Sequence, residues 1–123
     1  MRPYILVMIG GAIGSLLRFV CGQLLPKFNI NSIPWPTFTV NIIGCFLAGT
    51  VAAIIKKQEL TNDWSLLAIT GFLGGFTTFS AFSLEILQYI NSDKWGNAIL
   101  YISLSIVLSV IAVIIGWWLG TKQ

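Results

Sequence analysis

The stretch GFLGGFTTFSAF, from Gly71 to Phe82, decides the fold that this sequence predicts. It lies inside a long apolar segment and contains three glycines, two threonines, a serine and four phenylalanines. Adjacent glycines favour a backbone that leaves helical geometry. Hydrocarbon tolerates such a break only where protein or a polar cavity satisfies the freed backbone groups. We therefore expect a broken membrane helix here, with the functional site beside it.

The composition around this stretch is that of an integral membrane protein. Of the 123 residues, 56% are hydrophobic and 9% are charged, and the mean hydropathy is +0.87. Soluble domains carry roughly 25% charged residues, and a spanning helix needs about 20 residues. The chain therefore has room for four spans in a single transmembrane domain of residues 1–123. We predict an all-α membrane protein with spans at about 4–25, 36–55, 64–89 and 95–119, the third of them broken near residues 74–78.

Composition also excludes several classes of function. The net charge is +3, but the seven basic residues are scattered, so the sequence does not predict nucleic-acid binding. Because histidine is absent and the four acids form no motif, a histidine-dependent catalytic or metal site is excluded and an enzyme is not expected. Cys21 and Cys45 fall inside apolar spans, and we interpret both as small packing residues.

The first span carries Gly10, Gly14, Arg18 and Gly22 at every fourth position, on one helical face. Small residues at this spacing let another helix approach closely. Arg18 lies late in the span, and its charge is costly in the membrane unless it snorkels to the headgroups or faces a polar cavity. Both interpretations of Arg18 remain open.

The second span places Thr37, Asn41, Gly44 and Ala48 on one face. Asn41 is a strong hydrogen-bond donor and acceptor in the middle of the helix, and Thr37 precedes it by one turn. The pattern fits either a hydrogen bond between helices or a ligand contact in a pore.

The third span contains the break, and its depth follows from helix geometry. From Trp64 to Gly74 the chain rises about 15 Å, which is half of the roughly 30 Å hydrocarbon core. The break is therefore expected at mid-membrane. Glu85 then emerges near the opposite interface, and we interpret it as a charge in a vestibule.

The fourth span carries Tyr101, Ser105 and Ser109, which step by four and form a hydroxyl stripe. A single serine usually bonds its own helix, but three aligned hydroxyl groups favour a polar track. All five tryptophans lie at predicted span ends, as an aromatic belt requires. They are Trp35, Trp64, Trp95, Trp117 and Trp118.

The basic residues give only a weak preference for one orientation in the membrane. One side collects Arg2, Lys56, Lys57 and Lys122, and the other collects Lys27 and Lys94, with Arg18 near it. Under the positive-inside rule such a small bias allows insertion in both orientations. Two oppositely oriented copies would form an antiparallel dimer, whose axis in the membrane plane brings two breaks together.

The residues of the break offer two kinds of ligand. Backbone carbonyls around Gly74 and Gly75 lose their helical partners, and two copies would supply four oxygens for a hard monovalent cation. Thr77 or Thr78 is expected to cap the following half-helix. The rings of Phe79 and Phe82 share a face, and their positive edges can approach a small anion.

Three motifs closely resemble the signatures of the CrcB/Fluc family of fluoride channels. They are GGAIGSLLRF at residues 10–19, TFTVNIIGCFLAG at residues 37–49 and GFLGGFTTFSAFSLE at residues 71–85. They occur in order, and the similarity covers nearly the whole chain. Departures are mild: Ser15, Phe19 and Ala81 stand where the family more often has alanine, another aromatic and threonine.

The resemblance implies a dual-topology antiparallel homodimer with two fluoride pores in the cell membrane, although some members pair two complementary chains. It implies a sodium ion at the dimer centre, bound by the backbone carbonyls of Gly74 and Thr77. It also implies the following fluoride pore: Asn41, Phe79, Ser80, Phe82, Tyr101, Ser105 and Ser109. Arg18, Thr37 and Glu85 are candidates for the pore end or vestibule.

The predicted function is passive export of fluoride, which lowers cytoplasmic fluoride and confers resistance to it. The alternative is a proton-coupled exporter like the small multidrug-resistance transporters, which are also four-helix, dual-topology dimers. That chemistry needs a membrane-embedded carboxylate, preferably in the first span, where this chain has none. A second alternative is a non-transporting assembly subunit, which would not need aligned donors on spans 2 and 4.

Overall fold

The protein is all-helical over the part of the chain that the computed structural model describes, residues 1–25 and 33–122. The predicted loop between the first two spans lies largely outside these residues, and so does Lys27. Helix α1 spans Arg2–Leu24 and α2 spans Trp35–Lys57. The third span begins with α3 (Asn62–Trp64), continues as a π-helical segment (Ser65–Leu73) and ends its first half with α4 (Gly74–Phe76). Helix α5 (Phe79–Asn91) completes it, and α6 spans Trp95–Lys122.

Four stretches are long and apolar enough to cross a membrane, which confirms the predicted number of spans. They are Arg2–Leu24, Trp35–Lys57, Asn62–Asn91 and Trp95–Lys122. Many large apolar side chains are exposed on α1 and α6. Such surface suits hydrocarbon rather than water, so the chain is a multi-pass membrane protein.

Helix α1 packs against the first half of the third span through its glycines. A Cβ atom at Gly10 would collide with the carbonyl of Leu67, and one at Gly14 would collide with the carbonyl of Phe72. The small-residue face predicted for the first span is therefore a site of close backbone approach, as in other membrane helix pairs. The π-helical turn at this contact was not predicted from the sequence.

The glycine pair of the third span is not where helical geometry is lost. Gly74 and Gly75 belong to α4, and none of the described glycines has a positive φ angle. Within the predicted range of 74–78, the glycine pair stays helical, contrary to expectation, and the extended residues are Thr77 and Thr78. A Cβ atom at Gly75 would lie 2.6 Å from the carbonyl oxygen of Gly11, so this glycine is needed for close packing against α1 and not for backbone freedom.

Candidate functional site

Two threonines interrupt the helical geometry of the third span. Thr77 has φ −77° and ψ 155°, and Thr78 has φ −144° and ψ 119°, both in the extended region. The N–H of Thr77 still donates to the carbonyl of Leu73 at 2.9 Å. The Thr77 hydroxyl donates to the same carbonyl at 2.9 Å. The last turn of α4 is thus closed before the chain becomes extended.

The side chain of Asn41 binds both backbone polar groups of Thr78. The Thr78 N–H donates to Asn41 Oδ1 at 2.8 Å, and Asn41 Nδ2 donates to the Thr78 carbonyl at 3.0 Å. An asparagine amide has two N–H donors and one carbonyl. Asn41 therefore satisfies the backbone that leaves the helix and keeps one N–H for another partner.

Thr78 also begins the second half of the span. Its Oγ1 accepts a hydrogen bond from the N–H of Ala81 at 3.2 Å, which makes Thr78 the N-cap of α5. This is one of the two threonines predicted to cap the half-helix. The hydroxyl of Ser80 lies 3.3 Å from Thr78 Oγ1, and the Ser80 side chain is exposed. Ser80 thus contacts the interruption by way of the Thr78 hydroxyl.

A cavity of about 250 Å³ lies between α2, α6 and the interruption. Its lining residues are Asn41, Cys45, Thr77, Thr78, Phe79, Phe82, Ser105, Ile106 and Ser109. Five of the seven residues predicted for the pore line it, on three different helices. Ser80 and Tyr101 do not line it.

Ser105 contributes an unpaired hydroxyl to this cavity. The residue is 8% exposed, and its Oγ has no hydrogen-bond partner among the residues described. An unsatisfied buried hydroxyl costs about 1–3 kcal/mol, so a native structure seldom keeps one without water or a ligand nearby. Ser105 therefore has a buried hydroxyl that none of the described residues uses, in a residue that lines the cavity.

The two phenylalanines after the interruption differ in exposure. Phe79 is 79% exposed and Phe82 is buried, and their ring centroids are 5.6 Å apart with 45° between the ring planes. The ring of Phe82 also lies 5.1 Å from that of Tyr101. Phe82 is thus fixed by aromatic packing, whereas Phe79 projects from the chain.

The hydroxyl stripe of α6 divides between two environments. Tyr101, 1% exposed, donates to Glu85 Oε2 at 2.7 Å, and Thr37 donates to Glu85 Oε1 at 2.6 Å. One carboxylate thus links α2, α5 and α6. Ser105 and Ser109, in contrast, face the cavity.

Arg18 lies at a second, smaller cavity of about 150 Å³. Its Nη1 donates to the carbonyl of Thr77 at 3.5 Å, and Thr37 and Thr78 share the same lining. The guanidinium is therefore directed at the interruption. On the same side, the hydroxyl of Ser15 donates to the Gly75 carbonyl at 3.5 Å.

Metal-binding side chains do not cluster within residues 1–25 and 33–122: no group of three or more His, Cys, Asp or Glu residues could hold an ion there. The carbonyls predicted as sodium ligands belong to Gly74, the first residue of α4, and to Thr77, the residue that follows its last turn.

Sequence reasoning missed Cys45 and the backbone of Thr78 as parts of the site. Cys45 follows Asn41 by four residues, and helical periodicity alone would have placed the two on one face. The pairing of Asn41 with Thr78 had no such signal, because it joins two segments that are distant in sequence.

Known proteins resemble this chain over nearly its whole length. Residues 5–117 match the family described as CrcB-like protein, Camphor Resistance (CrcB). A protein of Rhizobium johnstonii named Fluoride-specific ion channel FluC is 46% identical over 113 residues, covering 91% of this chain and 90% of the relative. Relatives with the same name in Helicobacter pylori and Azobacteroides pseudotrichonymphae are 42% and 40% identical, and cover 91% and 95% of this chain and 88% and 94% of their own. Similarity of this extent shows that the chain belongs to the CrcB family.

Proposed function

We propose that this protein is a channel through which fluoride leaves the cytoplasm passively across the plasma membrane. Relatives that are 40–46% identical bear the name Fluoride-specific ion channel FluC. The observation that carries the proposal is the cavity beside the interruption, which gathers residues of α2, α5 and α6 that offer neutral hydrogen-bond donors and aromatic rings. Fluoride enters cells as its neutral conjugate acid and is trapped as the anion, so a downhill path is enough to lower its concentration.

The donors of the cavity suit a small anion in transit. Asn41 retains one N–H after binding Thr78, and the Ser105 hydroxyl is unpaired in the described structure. Ser109 adds a third neutral donor. Conduction needs binding that is favourable enough for entry and weak enough for release. Several neutral donors meet that requirement better than one fixed positive charge.

The rings of Phe79 and Phe82 would form the wall of the fluoride path. An aromatic ring has a positive edge, so ring edges attract an anion without a formal charge. Phe82 is held by Tyr101, and Phe79 projects outward at the rim of the same cavity. Ser80 would add a donor at the rim, and Glu85 with Thr37 would stand at one end of the path.

We further propose that two copies assemble antiparallel, or that this chain pairs with a related one. The high exposure of Phe79 supports a partner surface at the mouth of the cavity. By helix rise, Thr77 lies about 20 Å along the span from Trp64, so the interruption is inside the roughly 30 Å hydrocarbon core. Two oppositely oriented copies would therefore meet near the midplane, where transporters with broken helices also have their sites.

A sodium ion between the two copies is the cofactor that this arrangement would take. The N–H of Thr78, which a continuous helix would direct to Gly74, is bound to Asn41 instead. Carbonyls at the end of a half-helix form the negative pole of its dipole and are suitable ligands for sodium. Gly74 and Thr77 would each contribute one, and the second copy would contribute the same pair. The ion would supply a structural charge that joins the copies.

Arg18 lies beside the proposed sodium site, because its guanidinium donates to the Thr77 carbonyl at 3.5 Å. A positive charge beside the interruption would also attract an anion entering the smaller cavity. The contact is long for a hydrogen bond to a charged group, so a sodium ion could take the carbonyl without losing a strong existing bond.

A fluoride gradient across liposomes tests the function. Purified protein is reconstituted with fluoride inside, and a fluoride electrode records release into the bath. We expect efflux well above that of empty liposomes and much slower passage of chloride. No efflux, or equal passage of both ions, would contradict a fluoride channel. Fluoride release that follows an imposed proton gradient would instead favour the proton-coupled exporter.

The rings are tested by replacing Phe79 or Phe82 with isoleucine. Each variant should suppress efflux while the protein still elutes as the wild type on size exclusion. Phe19→Ile is a matched control, since Phe19 is an exposed phenylalanine on α1 that does not line the cavity. Unchanged efflux in the Phe79 and Phe82 variants would remove the rings from the mechanism.

The proposed role of sodium is tested by prolonged dialysis of the protein against a buffer in which a large organic cation replaces sodium. We expect lower efflux and a smaller assembled species, both restored by added sodium. Activity and assembly that survive after elemental analysis shows sodium removed would rule out the proposed role of Gly74 and Thr77.

A further inference from the structure

Three exposed lysines lie at one end of the molecule, where α2 and α6 both end. Lys56 and Lys57 are the last two residues of α2, and Lys122 is the last residue of α6. The two helix ends are joined, because Lys57 Nζ donates to the Thr121 carbonyl at 3.0 Å. We call these three residues the lysine cluster. Only the packing of α2 on α6 assembles it, since its members belong to spans that are distant in sequence.

The charge of the lysine cluster is not neutralised within the described part of the chain. Arg2, at the same end of the spans, is paired with Asp63, whose Oδ2 lies 2.6 Å from Arg2 Nη2. None of the three lysines forms an ion pair with a described carboxylate, and this includes Glu59, which follows Lys57 by two residues. The cluster therefore keeps a positive charge that is available to a partner.

Two tryptophans place the lysine cluster at the level of the lipid headgroups. Lys122 Nζ lies over the ring of Trp118, 3.3 Å from its centroid, and Lys56 Nζ lies 5.5 Å from the centroid of the Trp117 ring. Tryptophan is enriched at the interface between membrane and water, and the face of its ring attracts a cation. The two ammonium groups are therefore held at the depth where lipid phosphates lie.

An apolar groove of about 480 Å³ lies between α2 and α6 and leads toward this cluster. On α6 it is lined by Leu108, Ile111 and Ile115, and all of its other lining residues are apolar too. Trp118 and Lys122 continue the same spacing of three and four residues, so they share the face of α6 that lines the groove. An apolar groove that runs toward an unneutralised cation has the chemistry of a site for an anionic amphiphile.

We infer that the groove and the lysine cluster together bind an anionic phospholipid. One acyl chain lies in the groove, and the phosphate contacts Lys122 at its end. Lys56 and Lys57 add positive charge beside the phosphate. Lysine binds phosphate as a point charge, and basic pockets between membrane helices bind anionic headgroups. A zwitterionic phospholipid fills the groove equally well, but its own cation offsets the attraction to the cluster.

The lipid retained by purified protein tests this site without any measurement of fluoride. Protein in mild detergent is mixed with equal amounts of phosphatidylglycerol and phosphatidylcholine and washed on an affinity column, and the lipids that remain are quantified by mass spectrometry. Lys56→Gln/Lys122→Gln removes two charges of the cluster. Arg2→Gln/Lys94→Gln is the matched control with the same net charge, because Arg2 is paired with Asp63 and Lys94 lies at the other end of the spans.

We expect the wild type and the control to retain phosphatidylglycerol in preference to phosphatidylcholine. This preference should fall roughly tenfold or more in Lys56→Gln/Lys122→Gln, since each lysine near the membrane surface attracts anionic lipid. No preference in the wild type would overturn the inference. An equal loss in the control would also overturn it, because net charge alone would then explain the binding.

A second variant tests the groove separately from the charges. Ile111→Trp fills the groove and leaves the lysine cluster intact, so it should retain less of both lipids while it elutes like the wild type. Unchanged retention in Ile111→Trp, or displacement of the lipid by soluble glycerol phosphate, would mean that a phosphate group alone is bound and would overturn the inference. A smaller assembled species with unchanged retention would assign the groove to a second copy of the chain, and would overturn it as well.

Discussion

Helices α2 and α6 run in the same direction side by side, yet the two halves of their contact differ. In the half near their carboxyl ends, a Cβ atom at Gly49 would collide with the Val113 carbonyl, and one at Gly116 would collide with the Phe46 carbonyl. In the other half, Asn41 of α2 and Ser105 of α6 both line the cavity. We call the first the closed half, because the backbones of the two helices are in contact there. We call the second the open half, because it contains the cavity.

The difference shows that the size of the side chains decides the use of each turn. Small residues form the packed contact between the helices, and larger polar residues form the candidate site. Glycines let backbones touch, which gives dense packing without polar groups. Asparagine, cysteine and serine at the next turns line a cavity. Glu85 then links Thr37 of α2 to Tyr101 of α6 beyond the cavity. The closed half and this linkage hold the cavity at both ends.

The largest effect is expected from filling the closed half. In Gly116→Leu, the new side chain must displace the backbone of α2 at Phe46. Overpacking of this kind costs roughly 1–3 kcal/mol and occasionally more, so most of the protein should be lost as aggregate on size exclusion. Gly96→Leu on the same helix is the control, because a Cβ atom there meets nothing within 4 Å. Equal behaviour of the two variants would contradict the closed packing.

The next largest effect is expected in the open half from Asn41→Ala. This change leaves the N–H and the carbonyl of Thr78 without their partner, at about 1–3 kcal/mol for each buried group. Thermal unfolding should shift to lower temperature, and fluoride efflux should be lost. Thr50→Ala is the control on the same helix, because the Thr50 hydroxyl bonds only the Phe46 carbonyl of its own turn. Wild-type stability and efflux in Asn41→Ala would show that Asn41 does not fix the interruption.

A smaller effect should distinguish two members of the hydroxyl stripe. Tyr101→Phe removes a hydrogen bond to Glu85 and should lower stability by about 0.5–1.5 kcal/mol. Ser105→Ala removes a hydroxyl that has no partner in the described structure, so stability should stay the same or rise slightly while efflux falls. Denaturant titration in detergent measures the first quantity and the liposome assay the second. A loss of stability in Ser105→Ala as large as in Tyr101→Phe would indicate a partner for Ser105.

The smallest effect is expected at the far end of the closed half. Lys57 donates to the Thr121 carbonyl at 3.0 Å in an exposed position. Surface substitutions of this kind usually change stability by less than about 0.5 kcal/mol. Lys57→Ala should therefore unfold and conduct like the wild type, and a marked loss of either property would mean that the closed half depends on its polar end.

Much of this architecture could be predicted from the sequence because it depends on local pattern. The four spans follow from apolar runs, and the polar faces of α2 and α6 follow from helical periodicity. The role of the glycine pair could not be predicted in this way. Gly74 and Gly75 have the residue type that permits a break, but contact with α1 keeps Gly75 helical and compact.

The sequence by itself determined that this is a four-span membrane protein whose third span contains a region of special chemistry, because hydrophobicity and residue spacing act within one segment. Only the tertiary structure decided where helical geometry is lost and which groups share a cavity. Thr78 can leave the helix because Asn41 satisfies both of its backbone groups from another span. Ser105 and Cys45 face one space because α2 and α6 close elsewhere. Such contacts join residues far apart in the chain, and no local pattern encodes them.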